Sequence, residues 1–289
     1  MPASVFLAGP ASWNRMVLLD RLPEPVPHMQ FAQASWESVG GTSAGKALSL
    51  TGLGRSVVLH AITGEDDDGR RIRAALRAAG VAARWTDGVT ERHLNLMTAG
   101  GARVSLYLST PAETTGTDDA MHAAEMAAAD AVVLDLAAEP RRLLPLAAAS
   151  GTPLWVDVHD YDGVDAYHRP FLARAGAVFC NADRLGAPVE FLRAAVADGA
   201  EFAVCTLGAE GAVAVTADGA ELRVPAVPTT VVDTNGAGDA FLAGVLDARL
   251  RGTDLVTALT AGARAAAGVL GTRHLHPLLD PVLGTPTAG

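Results

Sequence analysis

Short apolar runs alternating with Ala-rich segments of helical length set the rhythm of this chain. Val5-Phe6-Leu7-Ala8-Gly9, Val57 to Ile62, Ala131 to Leu136, Leu154 to Val158, Ala177 to Cys180 and Phe202 to Thr206 are rich in β-branched or aromatic residues, and each is too short for a buried helix. They read as strands apolar on both faces. Between them, the segments from Gly40-Gly41 to about Leu50, from Arg70 to Ala79 (closed by Gly80) and from Leu255 to Leu270 read as helices. Strand–helix alternation of this kind predicts a mostly parallel sheet covered on both faces, hence a three-layer α/β/α fold.

Two stretches break the alternation, roughly 13–39 and 89–110. In the first, Pro23, Pro25 and Pro27 forbid a helix and favour an edge strand or extended loop. In the second, His93 to Met97 and Arg103 to Leu108 alternate around Gly100-Gly101, the pattern of a hairpin. Together the two stretches predict a small β-sheet over the C-terminal edge of the main sheet, where open α/β folds bind ligands. The whole chain, 1–289, is expected to be one domain with this lid, and the tail from Pro281 to Gly289 is expected to be loose.

Composition narrows the classes. A hydrophobic share of 49% supplies a sizeable core, and no apolar stretch approaches the continuous length of a membrane span. A net charge of −10 argues against a nucleic-acid surface, so no nucleic-acid partner is expected. No basic leader with an apolar core precedes a cleavage site, and Cys180 and Cys205 read as buried thiols rather than a disulfide framework. A cytoplasmic protein is expected.

The chemistry concentrates in Val231-Val232-Asp233-Thr234-Asn235-Gly236-Ala237-Gly238-Asp239-Ala240-Phe241. An extended segment meets a Gly-Ala-Gly corner and then an apolar run of helical length. The corner can turn its N–H groups toward one point, and the helix dipole adds positive charge there, which makes an anion site. Asp239 in the first helical turn is placed to take a proton from an alcohol. The backbone of Gly236, Ala237 and Gly238 would meanwhile hold the charge on a transferring phosphoryl group.

Asp-Thr-x-Gly-Ala-Gly-Asp-x-Phe resembles the signature of the ribokinase-like (PfkB) carbohydrate kinases. The resemblance implies a ribokinase-like fold with a β-strand lid over the sugar, and ATP with Mg²⁺ as cofactors. It further implies a monovalent cation such as K⁺ near Asp233, and a homodimer paired through the lid. Gly40 and Gly41 match the family's Gly-Gly motif, which offers backbone to sugar hydroxyls. The same stretch fits G-x-x-x-x-G-K as far as Lys46, but Ala47 replaces the hydroxyl a phosphate loop needs and no buried strand precedes it.

Several positions depart from the family. Asn14 stands where many relatives carry an Asp that grips two hydroxyls, and it can donate as well as accept. Gly45 replaces an Asn whose amide touches the substrate. With Lys46 beside it, two readings stand: the ammonium faces the site and selects an acidic acceptor, or it lies on the helix surface. Thr206, Gly208 and Gly211 resemble the family's nucleotide loop. Asn181 is also kept as a nucleotide-side residue, while Arg184 replaces the Glu that orients the metal's water shell. Asp135 breaks an otherwise apolar strand near the ligand edge, where it could face the substrate; His159 and Asp160 follow another strand at its C-terminal end, within reach of the site, with a surface or packing role the expected one.

The expected activity is transfer of the ATP γ-phosphoryl group to a hydroxyl of a sugar or sugar derivative, Asp239 acting as base. A nucleoside kinase, with Trp13, Trp36 or Tyr107 as platform for the base, is the alternative. So is a binding regulator weakened by the changes at Gly45 and Arg184.

Overall fold

The structure is a computed structural model, and residues 4–284 are described. The chain enters the main sheet as β1 (Ser4–Ala8) and, after only Gly9-Pro10-Ala11, leaves it again for β2 (Ser12–Leu19) and β3 (Ala34–Gly40). It returns through α1 (Thr42–Gly52), β4 (Ser56–Thr63), α2 (Asp67–Ala78) and β5 (Ala83–Asp87). Asp66 caps α2 by accepting the Gly69 N–H at 2.8 Å. A second excursion follows as β6 (Glu91–Thr98) and β7 (Arg103–Ser109).

From there alternation is unbroken: α3 (Asp119–Ala128), β8 (Ala131–Asp135), α4 (Ala138–Ser150), β9 (Leu154–Asp157), the single turn α5 (Arg169–Leu172), β10 (Ala177–Asn181), α6 (Pro188–Ala197) and β11 (Phe202–Thr206). The strands β12 (Ala212–Thr216) and β13 (Glu221–Val224) then form an antiparallel edge. The helices α7 (Ala237–Leu250) and α8 (Leu255–Val269) finish the fold, with one helical turn, α9 (Asp280–Leu283), after them.

The main sheet has nine strands in the order β13-β12-β11-β10-β9-β8-β1-β4-β5. Every pair from β11 to β5 is parallel. Alternate residues serve opposite faces. Val5, Leu7 and Val133 join Leu48, Leu242 and Leu246 on one side, whereas Phe6, Ala8, Val132 and Leu134 join Met126, Leu143 and Leu192 on the other. Two apolar cores back to back explain why these strands carry almost no polar residue. Cys180 and Cys205 face each other in register on β10 and β11, buried and free. No described helix is long and apolar enough to cross a membrane.

The two interrupting stretches do leave the main sheet. They form a second sheet in the order β3-β2-β6-β7, in which β2 and β6 run parallel and the outer pairs antiparallel. The proline-rich segment between β2 and β3 is loop. The sequence pattern leaves two edge strands unannounced and misjudges part of the tail. The edge strands β5 and β13 carry too little apolar character to announce themselves. At the C-terminus, residues 280–283 form a helical turn rather than loose chain, while 285–289 lie outside the described residues.

Candidate active site

The parallel strands end in polar residues at one edge. Asp135 is the last residue of β8, Asp157 of β9, Asn181 of β10 and Thr206 of β11. The lid sheet covers this edge, and between them lies a cavity of about 740 Å³. Its lid wall is polar, with Asn14, Glu91, His93, Asn95, Arg103, Ser105 and Tyr107 contributing, while Asn181, Thr206, Gly208, Gly236, Gly238 and Asp239 border it from the core side. The lid's strand periodicity produces that wall. Asn95 stands opposite Ser105 and His93 opposite Tyr107 (ring centroids 4.0 Å apart), and these face inward, whereas Leu94 opposite Leu106 and Leu96 opposite Val104 fall on the other face.

At the core side, Gly236 caps α7 with φ 76, a left-handed conformation, and a Cβ there would lie 2.5 Å from the Leu275 carbonyl oxygen. Among the described residues no backbone carbonyl takes up the N–H of Gly236 or Gly238, and both residues border the cavity. The Ala237 N–H is turned to the Thr234 carbonyl at 3.3 Å, and Ala237 does not line the cavity. Of the three donors expected, those of Gly236 and Gly238 are therefore free, and the N–H of Asp239 itself has no acceptor among the described residues either.

Asp239 sits in the first turn of α7, almost fully buried. Its Oδ1 accepts from Lys46 Nζ at 2.7 Å. That lysine is fully buried and overturns both sequence readings of it, since it neither borders the cavity nor lies on the helix surface. Its ammonium also contacts Asp157 Oδ2 at 3.3 Å and Asp135 Oδ1 at 2.9 Å, the latter off the line of a hydrogen bond. Ser43 Oγ donates to Asp135 Oδ2 at 2.6 Å. With three carboxylates around it, the ammonium has no capacity left for an acidic acceptor. Gly45 likewise lies away from the cavity, and the room left by its missing side chain is filled by Asp239.

Burial pushes the Asp239 carboxyl up to about 6, against the opposing pull of Lys46. For Lys46, burial works to lower the value, but Asp135, Asp239 and Asp157 together hold it above the usual lysine range. Burial alone would raise Asp157, yet His159 and Lys46 hold it below the usual carboxylate range. His159 Nδ1 is 3.3 Å from Asp157 Oδ2, and its backbone N–H donates to Oδ1 at 3.0 Å. His159 borders the cavity and is the one non-glycine residue with positive φ (49°) among those described. Such backbone strain concentrates where a side chain must be aimed. Of the two sequence readings of His159, reach to the site fits and a surface or packing role does not.

The other candidate residues divide between the cavity wall and the scaffold behind it. Asn14 borders the cavity, oriented by Ser12 Oγ at 2.8 Å, and a Cβ on Gly40 would collide with its amide nitrogen at 2.0 Å. Gly41 borders the cavity as well and starts α1 at φ 95. Gly211 does not. Its φ is 95 and a Cβ there would lie 2.0 Å from the Val224 carbonyl oxygen, so its visible role is in the β11–β12 turn. Asn181 accepts from the Asp183 N–H, and Asp183 borders the cavity, whereas Arg184 turns outward to Asp162 at 3.5 Å.

Asp233 is buried. Its Oδ1 accepts the Asn235 N–H at 2.9 Å, Oδ2 has no partner, and burial raises its carboxyl above the usual range. An orphaned carboxylate oxygen of this kind suits a cation. No cluster of three or more His, Cys, Asp or Glu suited to a metal occurs among the described residues.

A central parallel sheet, a β lid and a polar cavity between them define the ribokinase-like class of fold. The chain belongs to the family described as pfkB family carbohydrate kinase, matched over residues 20–277. An acarbose 7(IV)-phosphotransferase from an Actinoplanes species is 30% identical over 272 residues, which is 91% of this chain and 90% of the relative. Among solved structures, a microbiome-derived acarbose kinase, Mak1, superposes with a TM-score of 0.82 at 30% identity, covering 98% of this chain and 99% of the other. The fold alone is shared with a Burkholderia thailandensis nucleoside kinase solved with inosine, at TM-score 0.79 and 17% identity over 96% of each chain. The protein is a carbohydrate kinase.

Proposed function

We propose that this kinase transfers the γ-phosphoryl group of ATP to a hydroxyl of a carbohydrate held beneath the lid, with Asp239 as general base. One observation carries the reading. A buried carboxylate at a helix N-terminus borders the cavity beside two unengaged backbone donors, those of Gly236 and Gly238. The carboxylate accepts the hydroxyl proton while the donors and the helix dipole stabilise charge on the phosphoryl oxygens. The acceptor lies against Asn14, Asn95 and Ser105 with backbone from Gly40 and Gly41, and the nucleotide lies toward Asn181, Thr206 and Gly208.

The nucleotide's divalent metal neutralises phosphate charge when bound. Asp183 rather than Arg184 is the acid on the cavity side to hold its water shell, so the exchange at Arg184 is no sign of lost activity. Asp233 is the residue suited to a monovalent cation.

A wall of hydrogen-bonding side chains favours a polyhydroxylated acceptor over a nucleoside. Trp13 and Trp36 do not reach the cavity, which leaves Tyr107 alone of the expected aromatic platforms. The relatives named for acarbose make it the first acceptor to try. The lid's outer face also supports a homodimer, because Val104, Leu106 and Leu108 are exposed there and the β2–β3 loop adds exposed Met29 and Phe31.

The test is Asp239→Asn, assayed with ATP and a panel of sugars that includes acarbose. A positioned base contributes about 10²–10⁴-fold, and a loss of that order in kcat with an unchanged melting temperature is expected. Turnover equal to the wild type removes Asp239 from the reaction. Failure of the wild-type protein on every sugar removes the acceptor class.

A further inference from the structure

Lys46 is the least expected residue in the site, because a fully buried ammonium carries a heavy desolvation cost unless it is compensated. Here it is overcompensated. Asp239 on α7, Asp135 at the end of β8 and Asp157 at the end of β9 converge on it at 2.7, 2.9 and 3.3 Å, and His159 backs Asp157 from the cavity side. Three buried carboxylates within reach of one another repel, and without the ammonium between them they hold protons into the neutral range. Asp239 is the member of the trio that must be ionised for work, on the reading given above.

We propose that Lys46 is a positioning residue that keeps Asp239 ionised and aimed. It sets the pH above which the base is available and fixes one carboxylate oxygen, so that the other is left for the acceptor. Geometry supports this division. Lys46 Nζ occupies Oδ1 of Asp239, and among the described residues no group donates a hydrogen bond to Oδ2. The opposite wall of the ammonium is anchored independently, since Ser43 holds Asp135. Gly45, one residue before the lysine, is the gap through which the Asp239 side chain reaches α1.

The experiment reads the carboxyl directly and needs no substrate. Full-length protein labelled with ¹³C at the aspartate carboxyl carbons is titrated by NMR, with the Asp239 resonance assigned by its loss in Asp239→Asn. The wild-type midpoint is expected near 6. Removing an adjacent opposite charge shifts a carboxyl by about 1–3 pH units, so Lys46→Met moves the midpoint upward by at least about one unit. Lys46→Met/Asp135→Asn, which removes a surplus carboxylate together with the lysine, brings it back toward the wild type.

If Lys46→Met does not fold, Lys46→Gln, which keeps a donor without the charge, is read in the same way. A midpoint left where it was in the lysine variants overturns the proposal. The outcome is separable from the fate of Asp239 as base. An unchanged rate in Asp239→Asn fails that reading even where the titration shifts, and an unshifted titration fails this one even where Asp239→Asn is inactive.

Discussion

Gly45 and Asp239 occupy one space: a Cβ built on the glycine lies 2.5 Å from Asp239 Oδ2 and 3.0 Å from its Cβ. Real side chains do not approach so closely, so any residue other than glycine at position 45 must displace the carboxylate. Gly45→Ala is therefore expected to lower kcat by about 10²-fold, the scale of a small misplacement at a reacting centre. Phosphoryl transfer to an active sugar, measured with the melting temperature, checks this. A rate within twofold of the wild type would show that Asp239 tolerates the push.

The Asp239 carboxyl, raised to about 6 by burial, gives the rate a predicted acid limb. A general base works only when deprotonated, so kcat/KM should fall as pH drops through about 6 and level off above it. In a pH–rate profile on the wild type, a limb near 4 would mean the carboxyl titrates as an ordinary aspartate.

Asp233→Asn removes the negative charge from the partnerless Oδ2 while retaining an oxygen. If a monovalent cation sits there, the variant should lose most of its response to added K⁺, with the melting temperature raised or unchanged because burial disfavours the charge. Rates across a KCl series at constant ionic strength, held with a bulky organic cation, read this out. A wild-type protein indifferent to K⁺ would end the assignment.

His276 supplies a pH dependence of stability. Its Nδ1 accepts the Leu278 N–H at 3.1 Å, and burial pushes the ring down to about 4. The unfolded imidazole titrates near 6.5, so between about 6.5 and 4 the unfolded state binds the extra proton and stability falls as pH falls. Melting temperatures over that window should show a decline that His276→Asn lessens, since Asn can still accept the same N–H, while His60, also pushed down to about 4 by burial, leaves a remainder of the same sign.

Leu106→Glu places a charge at the centre of the exposed apolar face of the lid. Light scattering should show a dimer for the wild type and a monomer for the variant. A wild-type monomer at micromolar concentration removes the dimer.

The layered fold was legible in the sequence because its strands are apolar on both faces, as a parallel sheet covered by helices on each side demands. The lid was legible for the opposite reason: its strands alternate. What escaped was long-range. Nothing local about Lys46 says that it is buried, since a lysine within Ala-Gly-Lys-Ala reads as a surface helix residue or a ligand. Only the sheet brings Asp135 and Asp157, 22 residues apart, to the same ammonium. Asp135 carried a signal, as a charge inside an apolar strand, and pairing it with Lys46 required the question of what could neutralise it there. Asp157 carries the same signal, a charge next to the end of an apolar run. The strain at His159 and the outward turn of Arg184 belong to loop geometry, which residue type alone does not reveal.

Strand β7 is read on two sides at once. Arg103, Ser105 and Tyr107 look into the cavity, and Val104, Leu106 and Leu108 look away from it. On the proposed acceptor site and dimer face, point changes can therefore alter the side turned to the cavity without touching the apolar outer side, or the reverse, one residue at a time. A single inserted or deleted residue has no such freedom, because it exchanges the two faces together. Divergence along this strand is open to substitution and closed to indels, so homologues with different sugar preferences should differ here in spelling and keep the same length.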